Sequence, residues 1–483
     1  MHIIQVAAEF APLVKAGGLG EVIVGLSRQL TLLGHRVDVI LPKYDLLPLK
    51  LLKNLRIETP HFDSIESGQK ISNTMWSAEF ENIRIHLLET HHKAAYFDRE
   101  TIYGCEDDLA RFLYFSRAVA DYLKMKQTSV DILHTHDWHT AALAAMRWDN
   151  TSIKKTVLSI HNLEYQGKCG IRDLQQVNIR EDLLQRFHGD SSDHPDSYNI
   201  LRGGIEEADA IVPVSPSYAK EILTPEFGCG LNHILATKKN RITGILNGID
   251  AVLWNPEKDL YLSTNFKKTD PVEKVIIAKR KNQDELKVKF VLKGSPWVGA
   301  ITRIVPQKGP EFIEAAIQQT IDCGGTFLML GSAPNPDLHR HFQYIKTKFK
   351  DCAQVLIQLD FDEALAHKLY ASLDLLLIPS HFEPCGLAQM IGMHYGTVPI
   401  ARMTGGLKDT VFESQDMDKW NGFTFDSRQA CDFSRTLDRA LTLKKEQPRI
   451  FEKIMSNGFK TDFSWKNPAD QYLSLFKNLL ERL

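Results

Sequence analysis

Several short stretches of this 483-residue chain combine glycines, histidines and charged groups at spacings that could hold an anion or a sugar. The first is KAGGLG at 15–20. Three glycines within four positions imply a backbone that bends sharply or lies close against a neighbour. The apolar run HIIQVAA (2–8) before them reads as a buried strand, and 21–33 after them as a helix with Val22, Leu26 and Leu30 on one face. A glycine turn between strand and helix offers free N–H groups and the positive end of the helix dipole. It lacks the Lys-Ser/Thr ending of an ATPase loop and does not match GxGxxG. The runs 130–135 and 155–160 end in HDWH (136–139) and in His161-Asn162. His136 and His139 read either as helix-start residues satisfied by hydrogen bonds or as an HxxH metal pair, for which no third ligand or HExxH spelling is present. His161 is the better candidate to face a ligand, because a neutral imidazole both gives and accepts a hydrogen bond.

The second half offers Arg303 directly after a strand-like run and Lys308 before Gly309 and a helix. A planar fork and a point charge at a strand–helix mouth suit a phosphate or diphosphate; a solvated basic loop is the plainer reading. Glu383 lies in SHFEPCGLAQM (380–390), where two carboxylate oxygens could accept from sugar hydroxyls. Cys385 lacks a recognisable His–Asp partner set for nucleophilic work. Thr404, Gly405 and Gly406 form a second backbone-lined turn before a helical start. A diphosphate-linked donor accounts for two cradles, an Arg–Lys pair, a loop His and a loop Glu together. Its leaving group is an anion, so catalysis needs charge stabilisation where the bond breaks.

These groups need elements that bring them together. Short apolar runs at 2–8, 36–41, 83–89, 130–136, 155–160 and 208–215 alternate with helical stretches such as 107–125 and 139–148. A second alternation runs from 298 to 401. This pattern predicts an α/β protein of two Rossmann-like domains, with ligands beyond the C-terminal ends of the strands. Facing sheets would line a shared deep cleft. The expected divisions are 1–245, 246–460 and a C-terminal helix in 461–483 returning to the first domain. The interval 167–202, with HGDSSDHPDS at 188–197, reads as a polar surface excursion. A net charge of −2 without a long Lys/Arg block argues against nucleic acid as a partner. Seven scattered cysteines without CxxC point to free thiols rather than disulfides or a zinc site. A strand starting within two residues leaves no room for a signal peptide, and no 18-residue apolar run is present, so a cytoplasmic protein with no membrane partner is expected.

At this point the sequence resembles the bacterial glycogen synthases and plant starch synthases. KxGGLG (15–20), HDWH (136–139), His161-Asn162 with YQG (165–167), VSPSYAKEI (214–222), TPEFG (224–228), LNGID (246–250), RIVPQKG (303–309), FEPCGL (382–387) and TGGL (404–407) occur in that family's order. The resemblance implies a GT-B type glycosyltransferase that moves glucose from ADP-glucose to the 4-hydroxyl at the non-reducing end of an α-1,4-glucan such as glycogen, with retention. It implies that Lys15 and the Gly17-Gly18 turn contact the donor phosphates, with Arg303 and Lys308 closing on the diphosphate. His161 is expected near the transferred glucose, supported by Asp137 and Asn162, with Asn247 as a further sugar contact. Glu383 would bind glucose hydroxyls, with Cys385, Gly386, Thr404, Gly405 and Gly406 forming the donor-side turns around it. Tyr96 would lie near donor and acceptor, and Phe361 would stack on the base. No cofactor and no divalent metal are implied. Glu21 departs from the family's usual Asp.

Other readings fit less well. A glycoside hydrolase needs a second carboxylate beside Glu383, and none is evident. A glucan phosphorylase needs a pyridoxal phosphate lysine, for which nothing argues. A non-catalytic glucan-binding protein has no use for diphosphate-binding cations. UDP-glucose as donor stays open, as does the oligomeric state.

Overall fold

The run HIIQV is buried from its second residue on and forms β1 (His2–Val6), the centre of the first sheet. The computed structural model describes residues 1–150, 152–189 and 197–481. These divide into two compact units, Met1–Asp250 with Trp465–Leu483, and Ala251–Ser464.

In the first unit β1 is followed by β2 (Arg36–Pro42), β3 (Lys53–Glu66), β4 (Gln69–Phe80), β5 (Ile83–Thr90), β6 (Val130–His136) and β7 (Ile153–Ile160). A two-residue ribbon of β8 (Lys168–Cys169) and β9 (Tyr198–Asn199) comes next, then β10 (Ala210–Pro213). The main sheet runs β10-β7-β6-β1-β2-β5-β4-β3, parallel from β10 to β5 and antiparallel from there on. Counting only the six parallel strands in chain order gives 3-2-1-4-5-6, with the order reversing between β1 and β6. Val6 pairs with Thr135, and His136 with Ser159, so the loops leaving β1, β6 and β7 emerge side by side.

The hairpin of β3 and β4 is not anticipated by the alternation. Its residues pair antiparallel with register shifts near Arg56, Thr59 and Phe62, and β3 leaves much of its length exposed. The interval 167–202 is also more than a surface excursion. Helical turns at Ile171–Gln176 and Glu181–Phe187 bury Leu174, Leu183, Leu184 and Phe187, because apolar residues recur there at helical spacing. Gly203, on the helix Ile200–Glu207, lies so near Phe187 that an added Cβ would fall 2.2 Å from the ring. Of the polar run 188–197, residues 190–196 lie outside the described residues.

The second unit repeats the plan with β11 (Trp297–Ile301), β12 (Thr326–Leu330), β13 (Val355–Gln358), β14 (Leu375–Ile378), β15 (Val398–Arg402) and β16 (Phe423–Phe425). Its all-parallel order, β13-β12-β11-β14-β15-β16, is again 3-2-1-4-5-6, reversing between β11 and β14. Among the described residues no helix is long and apolar enough to cross a membrane.

The C-terminal helix Lys466–Glu481 belongs to the first unit and packs on the helix Gly18–Leu32. Tyr472 and Phe476 set their rings 5.5 and 6.0 Å from His134 on β6. Gly25, a poor helix former, is required here: a Cβ would fall 2.0 Å from Nε1 of the buried Trp465. Gly25→Ala is expected to destabilise the first unit by about 1–3 kcal/mol, through overpacking that outweighs the gain in helix propensity. Urea denaturation measures this, and an unchanged or raised midpoint would show that Trp465 moves aside without cost.

Candidate active site

The loop after β1 is shaped by a carboxylate that motif reading passes over. Glu9 is buried; its Oε2 accepts from the N–H groups of Ala16 and Gly17 at 2.7 and 3.0 Å, and its Oε1 from Tyr103 at 2.8 Å. The N–H of Gly17 is therefore turned inward, and the helix begins at Gly18 with no side-chain cap. The glycines of this loop differ in what surrounds them. An added Cβ on Gly20 would press on Ala11 N at 3.0 Å, whereas one on Gly17 would meet nothing within 4 Å. Gly17 leaves open space at the helix mouth, which a ligand could occupy. Lys15 Nζ pairs with the buried carboxylate of Glu21 in the helix's first turn. Glu21 is thus the residue that holds Lys15.

Asp137 starts the helix after β6 with φ +53, the left-handed region that Asp and Asn tolerate better than most residues. Its Oδ1 accepts from the N–H groups of His161 and Asn162 at 2.7 and 3.3 Å. One oxygen therefore fixes the backbone of the loop after β7, while Asn162 Oδ1 accepts from Glu164 N at 3.0 Å. Burial, reinforced by the charge of Glu9, pushes the Asp137 carboxyl up to about 7 despite those two N–H bonds. Burial also lowers the imidazoles: His134, His139 and His161 to about 3, and His136 well below its ordinary value, helped by its neighbours His134 and His161. All four are neutral near pH 7. His136 occupies the helix-start position without capping it; its ring reaches Gln5 and His161 instead. His139 packs among Tyr103, Phe112 and Trp138. The HxxH spelling therefore does not describe a matched pair.

In the second unit, the loops after β11 and β14 are joined. His381 N donates to Gln307 O at 2.9 Å, and Gln307 Nε2 to Phe382 O at 2.8 Å. Lys308 Nζ sits 2.5 Å from Glu383 Oε2, which also accepts from Ser380 Oγ at 2.8 Å. Glu383 is buried, so this is a shielded ion pair rather than a surface one. Arg303 is exposed, and its guanidinium makes no hydrogen bond or ion pair among the described residues. Thr404 is buried, and its hydroxyl has no partner among the described residues. Gly405 has φ +47; an added Cβ there would meet Glu383 O at 2.0 Å, and one on Gly406 would meet Cys385 O at 2.2 Å. Gly386, at φ +74, turns the chain from buried Cys385 into the helix Ala388–His394. The structure thus brings Lys308, Glu383, Cys385, Gly386 and Thr404 to Gly406 into one loop cluster.

Other sequence-derived candidates stand apart or are otherwise engaged. Tyr96 is buried, stacks on His92 at 4.1 Å and donates to Glu66 Oε1 at 2.9 Å. Phe361 leaves 75% of its surface exposed. Asn247 is buried, its Oδ1 without a partner among the described residues, in a segment tied to the first unit by Arg28 and Asp250 at 2.8 Å. Among the described residues, the only group with metal-ligand geometry is Cys105, Asp107 and Asp108. Arg99 grips both oxygens of Asp107, and Arg111 pairs with Asp108, so these acids already have counter-charges. Sequence reasoning missed Glu9, Gln5 and Ser380. A charged or amide residue inside an otherwise apolar strand and its exit is the signal that marks the first two.

Two 3-2-1-4-5-6 sheets, each with its polar loops at the point of reversal, define a two-domain glycosyltransferase of the GT-B class. Residues 2–237 match the starch synthase catalytic domain, and 282–455 match the glycosyl transferases group 1 domain. A glycogen synthase of Protochlamydia amoebophila is 40% identical over 497 residues, covering 99% of both chains. A probable starch synthase 4 of Arabidopsis thaliana is 39% identical over all of this chain and 47% of its own length. The solved catalytic domain of Starch Synthase IV from Arabidopsis thaliana, bound to ADP and acarbose, superposes with a TM-score of 0.93 at 37% identity over 99% of each chain. A sucrose-phosphate synthase from Thermosynechococcus elongatus shares the fold, with a TM-score of 0.63 at 18% identity. The chain belongs to the glycogen synthase and starch synthase family.

The raised Asp137 carboxyl has a measurable consequence. Between about pH 4 and 7 the folded chain keeps this proton while the unfolded chain has released it, so the contribution of Asp137 to stability falls as pH rises through that window and is level above it. Asp137→Asn retains the accepting oxygen and suits the left-handed backbone, and it removes that dependence. In urea titrations the difference in unfolding free energy between variant and wild type is expected to move in the variant's favour from pH 4 to 7. A difference that stays constant would mean that Asp137 ionises normally.

Proposed function

We propose that this chain is a glycogen synthase that transfers glucose from ADP-glucose to the non-reducing end 4-hydroxyl of an α-1,4-glucan, with retention, releasing ADP in the cytoplasm. The observation that carries the reading is the 37% identical structure, matched over 99% of both chains, that is bound to ADP and acarbose. The loop chemistry supports it. Breaking the anomeric bond leaves negative charge on the departing diphosphate, and Arg303 and Lys308 would supply the counter-charge. Glu383, held by Lys308 and Ser380, would accept from glucose hydroxyls; Thr404 Oγ1 is a hydroxyl in need of a partner beside it. On the first unit, Lys15 and the start of the helix Gly18–Leu32 would meet the phosphates. His161 would face the transferred glucose, with Asp137 holding its backbone and Asn162 and Asn247 contributing sugar contacts. Tyr96 would stand near donor and acceptor, Phe361 under the base, and Cys385 and Gly386 would shape the donor turn.

The direct test is turnover with glycogen as acceptor and ADP-glucose or UDP-glucose as donor. ADP-glucose is expected to be the faster donor; turnover with UDP-glucose alone would overturn the nucleotide assignment, and none with either would leave a glucan-binding protein. Lys308→Ala is expected to lower kcat by on the order of 100-fold. Because it also strands the buried Glu383 carboxylate, the double variant Lys308→Ala/Glu383→Gln is expected to recover the thermal midpoint without recovering rate. Recovery of rate in the double variant would make Lys308 merely the counter-ion of Glu383.

A further inference from the structure

Histidines at the ends of β6 and β7 do more than fill space. His161 Nε2 lies 3.1 Å from His136 Nδ1, and His136 Nε2 lies 3.1 Å from Gln5 Oε1. Gln5, fully buried on β1, donates its amide Nε2–H to Ser27 Oγ at 2.7 Å, on the helix Gly18–Leu32. A continuous chain of hydrogen bonds therefore runs from that helix, across two adjacent strand ends, to the candidate sugar-facing imidazole.

The proton positions follow from the ends inward. With its amide nitrogen turned to Ser27, Gln5 presents an oxygen to His136, and an oxygen acceptor requires an N–H. His136 therefore carries its proton on Nε2. Burial keeps this ring neutral, which leaves Nδ1 bare and able only to accept. The proton between the two rings then belongs to His161 Nε2. His161 is also neutral, so its Nδ1 is a lone pair, and no described group bonds to it.

We propose that Gln5, oriented by Ser27, is a positioning residue that acts through His136 to fix His161 as its Nε2–H tautomer, so that Nδ1 accepts a hydrogen bond from a hydroxyl of the transferred sugar. This rests on the reading that His161 faces that sugar. The opposite tautomer would offer an N–H and require the hydroxyl to accept instead. A buried amide is well suited to the task, because its two ends differ and it carries no charge that would draw a second proton onto His136.

Two-bond proton–nitrogen correlation spectra of the whole chain, labelled with 15N in histidine, distinguish protonated from bare ring nitrogens. Wild type is expected to show Nε2–H and bare Nδ1 for both His136 and His161, assigned by comparison with His136→Gln and His161→Ala. Ser27→Ala removes one hydroxyl, leaves the Gln5 amide free to rotate, and is expected to give mixed tautomers. Its kcat/KM for ADP-glucose should fall roughly 10-fold, the size of one hydrogen bond, with the melting midpoint near that of wild type. Gln5→Met, which keeps the volume and removes the amide, should reproduce both effects. A proton on His161 Nδ1 in wild type, or a Ser27→Ala variant with wild-type tautomers or wild-type kcat/KM, would overturn the proposal. Wild-type turnover by His161→Ala would overturn the underlying reading instead, whatever the spectra show.

Discussion

The reversal of strand order in each sheet is the constraint from which the candidate site follows. Crossovers leaving the central strand in one direction and those entering the next half in the other cover opposite faces of the sheet. The loops beyond β1 and β6, and beyond β11 and β14, are therefore left without a crossover to close over them. The stretches 9–21, 136–137, 303–308 and 380–386 leave those four strands, and His161-Asn162 and Thr404 to Gly406 leave the neighbouring β7 and β15. Parallel pairing adds the remaining requirement. Because Val6 pairs with Thr135 and His136 with Ser159, residues more than a hundred positions apart in the chain come within hydrogen-bonding distance.

Within that frame the polar groups divide by what they bind. Glu9 and Asp137 are satisfied by backbone N–H groups, Lys15 by Glu21, and Glu383 by Lys308 and Ser380. These internal partners give the loops their shape, and their burial makes each bond stronger than the same contact in water. Among the described residues, Arg303, Thr404 Oγ1, Asn247 Oδ1 and His161 Nδ1 have no such partner. A buried orphan oxygen costs about 1–3 kcal/mol, and a fold tolerates that most readily where a ligand later supplies the partner.

The double alternation was legible because parallel strands buried on both faces are short continuous apolar runs, as LLLI in β14 and TFLML in β12 are. The hairpin of β3 and β4 was not, since it is half exposed and its period is broken by three register shifts. The helix Val272–Phe290 was hidden for a related reason. Its sequence is dominated by charge, and one of its buried residues is Lys279, held by Tyr395 O and Thr397 Oγ1 rather than by apolar contact. In the site, spacing exposes local motifs such as HDWH but says nothing about Gln5, whose neighbours come from a helix and another strand. Sheet order, not the run HIIQV, makes Gln5 the partner of His136.

The glycines show how the same residue type answers opposite demands. Gly405 and Gly406 are needed because their turn lies against the backbone of Glu383 and Cys385, where any side chain would displace it. Gln389 tightens that contact: its Nε2 donates to Cys385 O at 3.0 Å, Gly386 O at 2.7 Å and Thr410 Oγ1 at 3.1 Å, and Thr410 in turn donates to Gly406 O at 2.7 Å. The second cradle is thus first a junction between two turns, and the Gly406 N–H is spent on it, donating to Glu383 O and Pro384 O at 3.1 Å. Gly17 has the reverse surroundings, with its N–H bound inward and open space where a Cβ would point. A glycine of the first kind is replaced at the expense of the loop itself, whereas one of the second kind is replaced at the expense of whatever enters the space. Their spelling in KAGGLG and TGGL is alike, and only the neighbouring backbone distinguishes them.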